Sequence, residues 1–531
     1  MLKNILLDHD DELGRYLKAD RDFSPGEDLI NEEPLMIIPV RSQPQPEDYL
    51  KDIYEKYQSL DQNQQAIVLD LYCHDPDVLV KDIDYHKLFT LAEIIAPNNG
   101  LLIVKLFFIW KLNATQYKES SRALFQWHAR INHSCAPNAI FHGGVIRSLR
   151  KIICGEPITL SYLDPMFSKC STRVRRTMLY KSHSFHCNCT CCTSPVDLRR
   201  VLLCPQCKKS SLILGLKPVI DHSMKPTQDD HEHDHQNVQI VGTCAHTGCS
   251  RSCTADQLPL SIENEMENLT VSIMMKLDDD DTYYTLIAEH IDAVHTKVLM
   301  TLGGNHWTAA AMLDLRYRFD PIDNGFHSIH YGEACLNWYK ALTWDIIQLS
   351  ANLGFAMGKE LLKSPRKSNQ VAGRKYLKDC FEDFKNIWGD EDSDVKAMKA
   401  LFETCRQNEL RTDMMVCSFI GCTNPVDDRV GSTTKLLLCC GQCHLAYYCD
   451  KNCQRNDWKI HKKVCMFISP VYGLKELRES YNSNATSTND VTVPNVATSV
   501  DAVSTFTSTA TTTTTYVVDE LNVNIAIAPD T

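Results

Sequence analysis

Closely spaced cysteines near residue 450, together with one histidine, restrict the possible folds of this chain more than any other feature. Eight potential metal ligands lie within about fifty residues: Cys417, Cys422, Cys440, Cys443, Cys449, Cys453, His461 and Cys465. Four ligands saturate one tetrahedral zinc ion, so this set indicates two ions, with Cys439 as an alternative to Cys440. A segment this short cannot build a sufficient hydrophobic core, so metal binding should supply much of its folding free energy.

The remaining cysteines also suggest metal binding, because no secretory signal is evident. Residues 1–12 contain four acidic residues and no long apolar segment. We therefore expect a reducing compartment, either the cytoplasm, the nucleus or both. Of the 24 cysteines, nine lie between Cys187 and Cys253. In a reducing compartment such clusters are more often zinc sites than disulfides.

Composition bounds the class of protein. A chain of 531 residues can form roughly three or four domains. Its net charge of −12 disfavours direct nucleic-acid binding, which needs concentrated lysine and arginine, and suits basic peptides better. The longest apolar run, residues 100–112, is about half a membrane span and contains Lys105. We expect a buried helix there and no membrane association.

Two segments place a polar turn beside a strand. Residues 130–138 read Arg-Ile-Asn-His-Ser-Cys-Ala-Pro-Asn, and their small polar residues and proline favour a turn. Residues 155–162 read Gly-Glu-Pro-Ile-Thr-Leu-Ser-Tyr, in which apolar and polar side chains alternate as in a half-buried strand. The phenol of Tyr162 at the end of this strand marks a candidate site.

Together the two segments resemble the core of SET-domain protein-lysine methyltransferases, in the subgroup that carries SET and MYND domains. The resemblance implies S-adenosylmethionine as methyl donor and a lysine of a histone or another protein as acceptor. Tyr162 matches the catalytic tyrosine of the family. The positions that match cofactor contacts in relatives are Arg15, Leu17, Asn113, Asn132, His133, Tyr162 and Phe185.

Two positions depart from the family pattern. Tyr16 replaces the second glycine of the N-terminal cofactor loop, which predicts weaker cofactor binding. His183 stands two residues before Phe185, where relatives often have a second tyrosine. We expect this change to alter the number of methyl groups added or to weaken the activity.

A third zinc site is expected after the strand that ends at Tyr162. Cys187, Cys189 and Cys192 supply three thiolates, one fewer than a closed site requires. The resemblance implies Cys135 as the fourth ligand, and Cys191 is the local alternative.

A fourth site is expected farther along the chain. Two cysteine pairs resemble the knuckles of a zinc ribbon: Cys204, Cys207, Cys244 and Cys249. His246 or Cys253 could take the place of Cys249. The run of histidine and acidic residues at 229–235 is expected to be a solvated loop.

Beyond residue 258 the pattern becomes helical. Apolar residues recur at i, i+4 and i+7 in two stripes: Ile287, Ile291, Val294 and Val298, then Leu377, Phe381 and Phe384. This recurrence predicts helices buried on one face. We expect antiparallel helix pairs similar to tetratricopeptide repeats.

The segment 417–465 resembles a MYND finger. The interleaved pairing of that family implies two ligand sets, Cys417, Cys422, Cys449 and Cys453 in one, and Cys440, Cys443, His461 and Cys465 in the other. The family also implies proline-rich peptide partners. The finger follows the helical region here, whereas in most relatives it interrupts the SET domain.

The predicted fold is α+β and multidomain, with about four structural zinc ions in a monomer. The order is a SET domain (1–170, helical insertion at about 42–98), a post-SET zinc segment (171–195), a zinc-ribbon-like segment (196–255), a TPR-like α-helical region (256–412), a MYND finger (417–465) and a disordered tail (480–531). The predicted function is protein-lysine N-methylation. The alternative is a zinc-stabilised scaffold or transcriptional co-regulator with weak or no activity.

Overall fold

The structure is a computed structural model. It describes residues 4–10, 13–40, 46–73, 85–118, 121–218, 238–246, 248–249, 251–279, 283–319, 327–342, 346–363, 367–407, 417–419, 422, 437–443 and 446–468. The described residues divide into two compact units: those within 4–162 and Arg176–Cys187 in the first, and Leu163–Arg175 and those within 188–468 in the second. The predicted loop at 229–235 and the predicted tail at 480–531 lie outside the described residues.

The first unit contains short strands. They are β1 (Ile5–Asp10), β2 (Gly14–Ala19), β3 (Asp28–Asn31), β4 (Met36–Pro39), β5 (Thr115–Tyr117), β6 (Ser121–Leu124), β7 (Asn132–His133), β8 (Ala139–His142), β9 (Val145–Ser148) and β10 (Thr159–Leu160). β1 pairs with β2, β9 lies between β3 and β8, and β6 lies between β4 and β5, all antiparallel.

Glycine closes the β8–β9 hairpin for a steric reason. Gly143 and Gly144 both have positive φ, 59° and 94°, as a two-residue type I′ turn requires. A Cβ on Gly144 would lie 2.7 Å from the carbonyl oxygen of Glu32. At position 144, no larger residue fits without moving the backbone at Glu32.

The helices of the first unit are α1 (Pro46–Gln58), α2 (Gln62–Leu69), α3 (Tyr85–Ile95) and α4 (Gly100–Asn113). α2 begins with a capping box in which Asp61 accepts the N–H of Gln64 and Gln64 accepts that of Asp61. α4 is the predicted buried helix, and its side chains pack with those of α1, α2 and β4 into one core.

Among the described residues, no single helix is both long and apolar enough to cross a membrane. α3 and α4 reach that length and composition only as a pair, bent by 119° at their junction.

The second unit begins with short helices and a sheet. Its first helices are α5 (Pro165–Ser168), α6 (Thr172–His183), along which the boundary between the units falls, and α7 (Thr190–Thr193). Four antiparallel strands follow: β11 (Val196–Leu203), β12 (Ser210–Pro218), β13 (Val238–Cys244) and β14 (Ser252–Thr254).

Helices dominate the middle of the second unit. They are α8 (Leu260–Asp279), α9 (Tyr283–Thr301), α10 (Trp307–Phe319), α11 (His327–Leu342), α12 (Ile347–Leu362), α13 (Lys367–Trp388) and α14 (Ser393–Gln407). Ile291, Val294 and Val298 of the first predicted stripe are buried in α9. Leu377 and Phe384 of the second are buried in α13, so both stripes face a core.

α12 and α13 approach closely because glycines face each other. A Cβ on Gly358 would lie 2.6 Å from side-chain atoms of Leu377, and one on Gly373 would lie 2.8 Å from the carbonyl oxygen of Gly358. Alanine at either position would push the helices apart.

A buried ion network joins the sheet to the helical region. Arg200 of β11 donates to both carboxylate oxygens of Glu263 of α8, at 2.7 and 2.8 Å. His306 Nε2 lies 3.2 Å from the same carboxylate. The neighbouring Glu267 accepts hydrogen bonds from Arg173 and from the indole of Trp307. These ion pairs connect the sheet to the helices. Each buried charge has a partner, which compensates for the cost of removing it from water.

The described part of the finger contains β15 (Leu438–Cys439), β16 (Tyr447–Tyr448) and α15 (Lys451–Ile468). α15 packs against α11, where the ring of His330 lies 5.7 Å from that of His461. Within the finger, the buried hydroxyl of Tyr448 donates to Asp457 at 2.7 Å.

Candidate active site and zinc clusters

A parallel strand pair creates the candidate active site. β7 pairs with β10, so that Asn132 lies opposite Thr159 and His133 opposite Leu160. The Ser134 N–H extends the pairing by donating to the Leu160 carbonyl at 2.9 Å. The polar turn and the strand before Tyr162 are therefore adjacent in space, as the sequence predicted.

Buried Asn138 fixes the register of this pair. Its side-chain Nδ2 donates to Glu156 Oε1 at 3.0 Å and to the Pro157 carbonyl at 2.8 Å, while its Oδ1 accepts the Thr159 N–H at 2.8 Å. One amide thus satisfies two backbone groups, one just before β10 and one at its first residue. Because these partners follow about twenty residues later, local sequence reasoning gave Asn138 no role beyond the turn.

His133 connects the site to the cysteines. Its Nδ1 accepts the backbone N–H of Tyr162 at 2.9 Å, so the hydrogen of the neutral ring resides on Nε2. Nε2 lies 3.3 Å from Cys135 Sγ and donates towards it. The ring therefore connects the end of β10 to the side chain of Cys135.

The Tyr162 hydroxyl is anchored from the opposite side. It donates to the Ile131 carbonyl at 2.6 Å, which leaves its oxygen lone pairs as acceptors. Burial raises the pKa of the phenol well above its ordinary range. Tyr162 therefore stays neutral at physiological pH and can orient a donor group.

Aromatic rings surround this hydroxyl. His183 stacks on Tyr162 with centroids 4.8 Å apart, and Phe185 meets Tyr162 edge to face at 6.3 Å. His133 lies 5.9 Å from Phe185. His183, which differs from the family pattern, and Phe185, a predicted cofactor contact, thus belong to one ring cluster with Tyr162.

The N-terminal loop reaches the same turn. Asn132 Nδ2 donates to the Leu13 carbonyl at 2.7 Å. Gly14 has φ +63°, and a Cβ placed on it would meet no atom within 4 Å. Leu17 of β2 is buried, and the Tyr16 hydroxyl bonds to Asp8 within the β1–β2 hairpin. The loop therefore has open space beside its backbone, next to Asn132.

Asp70 was missed by sequence reasoning. It accepts hydrogen bonds from Arg15 at 2.8 Å and from Arg130 at 2.7 Å, and the Arg130 bond is the main cause of its lowered pKa. Two residues later, the Tyr72 carbonyl accepts from Asn113 Nδ2 at 2.8 Å. This turn after α2 joins Arg15 and Asn113, but nothing in the pattern around a lone aspartate could have shown it.

These residues fit S-adenosylmethionine. The open space at Gly14, the half-buried polar Asn132 and the half-buried ring of Phe185 offer backbone, polar and aromatic contacts for its charged and planar parts. The cofactor roles of Arg15, Leu17, Asn113, Asn132, His133, Tyr162 and Phe185 stay predictions.

The post-SET cysteines are divided between the units. Cys135 and Cys187 belong to the first unit and their Sγ atoms lie 4.0 Å apart. Cys189 and Cys192 belong to the second unit, so the complete four-cysteine site stays a prediction. The alternative ligand Cys191 accepts hydrogen bonds from Arg175 and Arg199, both at 3.3 Å.

The ribbon cysteines converge in the second unit. The ligand atoms of Cys204, Cys207, Cys244 and Cys249 all lie within 4.8 Å of one another. The separations from Cys204 to Cys249 and from Cys207 to Cys244 are both 3.7 Å. A tetrahedral site with Zn–S bonds near 2.3 Å places its sulfurs about 3.8 Å apart, so these cysteines fit zinc. Cys249 occupies the position for which His246 and Cys253 were alternatives.

The finger contains both predicted ligand sets. Ligand atoms lie within 4.8 Å of one another in the set Cys417, Cys422, Cys449 and Cys453 and in the set Cys440, Cys443, His461 and Cys465. α15 supplies Cys453 to the first set and His461 and Cys465 to the second. Cys439 is exposed and lies outside both sets, whereas Cys440 lies in the second.

Comparisons with known proteins agree with this geometry. The SET domain family matches residues 14–163, and the MYND finger family matches residues 421–465. Together with the cysteine clusters, the MYND match supports zinc binding at several sites.

Similarity to individual proteins is confined to short stretches. The chain is 32% identical over 81 residues to mouse histone-lysine N-methyltransferase SMYD3, covering 14% of this chain and 18% of that protein. It is 30% identical over 110 residues to the SET domain-containing protein SmydA-8, isoform B, of Drosophila melanogaster. This match covers 20% of this chain and 24% of that protein.

A third relative shares both domain names. The chain is 42% identical over 48 residues to a SET and MYND domain-containing protein of Dictyostelium discoideum, covering 9% of this chain and 8% of that protein. In each of these matches the chain spans less than a third of the relative's own length. Both family matches and the names of these relatives support an SMYD-like protein, in which a MYND finger follows the SET domain and the helical region.

Proposed function

We propose that this protein is a protein-lysine N-methyltransferase that uses S-adenosylmethionine and acts on lysines of histones or other proteins. The observation that carries the proposal is the parallel β7–β10 pair, which holds Asn132 and His133 next to the strand leading to Tyr162. The relatives named histone-lysine N-methyltransferases support the same reaction class.

The chemistry sets a requirement that the ring cluster can meet. A lysine amine must be neutral to act as a nucleophile, yet with a pKa near 10.4 only about one in a thousand is neutral at pH 7.4. Enclosure among Tyr162, His183 and Phe185 would disfavour the charged form. The lone pairs of the Tyr162 hydroxyl would accept an N–H of the substrate and aim its nitrogen.

S-adenosylmethionine supplies an electrophilic methyl group on a sulfonium. The residues that would hold it are Asn132, the backbone at Gly14 and the Phe185 ring. We propose that the zinc ions are structural, because the ribbon set and both finger sets have four protein ligands each and leave no position for substrate.

Cofactor binding is tested by calorimetry with S-adenosylmethionine. The wild type should give saturable heat, and Asn132→Ala should weaken binding at least tenfold by removing the bond that positions the Leu13–Gly14 loop. Asn31→Ala, an exposed residue of the same domain, is the matched control. Absence of saturable heat from the wild type would refute the proposal.

The role of Tyr162 is tested on a lysine peptide with labelled methyl donor. Tyr162→Phe should keep the fold and cofactor affinity but abolish turnover, since only the orienting oxygen is lost. Tyr117→Phe, a buried tyrosine elsewhere in the same domain, should leave turnover unchanged. Retained turnover in Tyr162→Phe would contradict the assignment.

A second candidate function, that of an interaction scaffold, is favoured by the surface of the finger. Trp458 is 40% exposed on α15 beside the exposed cations Lys451 and Arg455. A cavity of about 410 Å³ opens there, lined by Cys440, Gly441, Gln442, Lys451, Gln454, Arg455 and Trp458. Aromatic-lined grooves bind proline-rich peptides, so we propose such peptides as partners.

This partner is tested with proline-rich peptides in a fluorescence binding assay. Trp458→Ala should reduce affinity at least tenfold by removing the exposed ring. Lys459→Ala, on the same helix but outside the cavity, is the control. Binding that survives Trp458→Ala would remove the cavity as the docking site. We also propose that the protein is a monomer and that it resides in the cytoplasm, the nucleus or both.

A further inference from the structure

One carboxylate oxygen of Asp70 joins two arginines from distant parts of the SET domain. Its Oδ2 accepts hydrogen bonds from Arg15 Nη1 at 2.8 Å and from Arg130 Nη2 at 2.7 Å. Arg15 also donates through Nη2 to the Asp70 carbonyl at 2.6 Å. Arg15 follows Gly14 in the N-terminal loop, and Arg130 lies two residues before Asn132. Asp70 therefore connects the two segments that flank the open space at Gly14.

The carboxylate of Asp70 lies between two like charges. Guanidinium groups that share one acceptor atom repel each other, and the negative charge between them offsets this repulsion. The Arg130 side chain is only 8% exposed, so its buried charge needs a partner, whereas that of Arg15 is 41% exposed. Hydrogen bonds, that from Arg130 first, lower the pKa of Asp70, so its carboxylate is ionised at neutral pH. Loss of the carboxylate would therefore release Arg15, the more exposed partner, into solvent.

The backbone that presents Asp70 is held in place by packing. The Asp70 N–H closes α2 by donating to a carbonyl of its last turn. The next residue, Leu71, is buried in the core that α2 forms with α4. The Tyr72 carbonyl then accepts Asn113 Nδ2 at the end of α4. The carboxylate is therefore presented to Arg15 from a fixed support, as a positioning group requires.

We propose that Asp70 is a positioning residue for S-adenosylmethionine, which holds Arg15 and thereby keeps the backbone at Gly14 in the arrangement that binds the cofactor. This inference rests on the proposed methyl transfer. Asn132 holds the same loop through the Leu13 carbonyl, two residues from Arg15. Because the loop is held at both positions before the cofactor arrives, it loses little conformational entropy on binding.

Calorimetry with S-adenosylmethionine on the full-length protein tests this role. Asp70→Ala should weaken binding about fivefold, a modest loss because the pair with Arg15 is exposed to solvent. Asp28→Ala is the matched control, since Asp28 is similarly exposed and pairs with Arg147 of β9 at 2.6 Å. Its cofactor affinity should equal that of the wild type. Unchanged affinity in Asp70→Ala would overturn the proposal.

A double-mutant cycle shows whether Asp70 acts through Arg15. Asp70→Ala should weaken cofactor binding about fivefold in the wild-type background but less than twofold in Arg15→Ala, because the group that Asp70 holds is then absent. Equal losses in both backgrounds would refute the positioning role. Asp70→Asn serves as the second variant if the alanine variant does not fold. It removes the charge but keeps the shape, and its effect should depend on Arg15 in the same way.

Steady-state kinetics separates positioning from a packing defect. In Asp70→Ala the KM for S-adenosylmethionine should rise about fivefold, while kcat and the KM for a lysine peptide should stay within twofold of the wild type. A packing defect would instead reduce the folded fraction and so lower kcat without changing the KM for the cofactor. That second pattern would contradict the proposal.

Hydrogen exchange tests the loop without cofactor or turnover. The amides of residues 13–15 should exchange faster in Asp70→Ala than in the wild type, and at the wild-type rate in Asp28→Ala. Equal exchange in Asp70→Ala and the wild type would show that Asp70 does not hold the loop. A wild type without saturable heat from S-adenosylmethionine would refute the proposed function itself. Saturable wild-type heat with unchanged affinity in Asp70→Ala would refute only the role of Asp70.

Discussion

The MYND finger and the SET domain assemble their sites over different distances along the chain. In the finger, ligand atoms in contact are separated by 4 to 27 residues, as in Cys449–Cys453 and Cys422–Cys449. In the SET domain, Asn132 meets Leu13 across 119 residues and Arg15 meets Asp70 across 55. The metal centre depends on local spacing and on an ion, whereas the active site depends on the register of distant strands. Loss of one contact should therefore affect the two regions differently.

The largest effect is expected for a zinc ligand of the finger. Cys443→Ser should unfold the finger and release its metal, because structural zinc contributes on the order of 10 kcal/mol or more to such a small fold. Zinc stoichiometry and limited proteolysis measure the loss. Cys439→Ser, an exposed neighbour outside both ligand sets, should change neither. If the metal-free finger resisted protease, the finger would not depend on zinc for its fold, and the proposed difference from the SET domain would be wrong.

A smaller loss is expected from the register residue of the SET domain. Asn138→Ala leaves the Thr159 N–H and the Pro157 carbonyl without their partner in a buried site, at a cost of about 2–4 kcal/mol. The urea midpoint of the SET domain should fall while the finger keeps its zinc. Asn31→Ala is again the exposed control. An unchanged midpoint would show that the strand pair does not need this amide.

Acid should weaken the network between the sheet and α8. Burial alone would raise the pKa of Glu263, but hydrogen bonds from Arg200 and His306 outweigh it and lower the pKa to about 2. The carboxylate therefore contributes stability above its unfolded pKa of about 4.5, and this is lost as the pH falls through about 2. At neutral pH the ionised Glu263 carboxylate contributes about 3 kcal/mol to the free energy of unfolding.

Unfolding of wild type and Glu263→Gln should therefore differ most near pH 6 and converge towards pH 2. Glu265→Gln lies two residues away and is exposed, so it should follow the wild type at every pH. A constant difference between wild type and Glu263→Gln across this range would show that the charge of Glu263 is not responsible.

The smallest effect is expected at the start of α2. Asp61→Ala removes the capping box and should cost about 1 kcal/mol. Because α2 leads directly to Asp70, hydrogen exchange should accelerate there before global stability changes much. Asp52→Ala in the middle of α1 is the comparison. Equal exchange in both variants would show that the cap does not hold this turn.

The same contrast explains what the sequence could predict. Short ligand spacings predicted the eight ligands of the finger and the ribbon cysteines, and the resemblance to MYND fingers implied how the eight divide into two sets. The turn at 130–138 and the strand before Tyr162 were recognisable from local patterns. Asp70, Asn138 and the Arg200–Glu263 pair were not, because their partners are chosen by tertiary register. The tautomer of His133 depends on the hydrogen bond from the Tyr162 N–H, which no pattern of residue types encodes.

One helix of the finger has a consequence for how metal is taken up. α15 carries ligands of both clusters, so occupancy at Cys453 orders the same backbone that presents His461 and Cys465. Zinc binding at one centre therefore lowers the conformational entropy that the chain loses when the other centre binds zinc. A titration with zinc should therefore show singly loaded finger as a minor species, with the apo and doubly loaded forms dominating throughout.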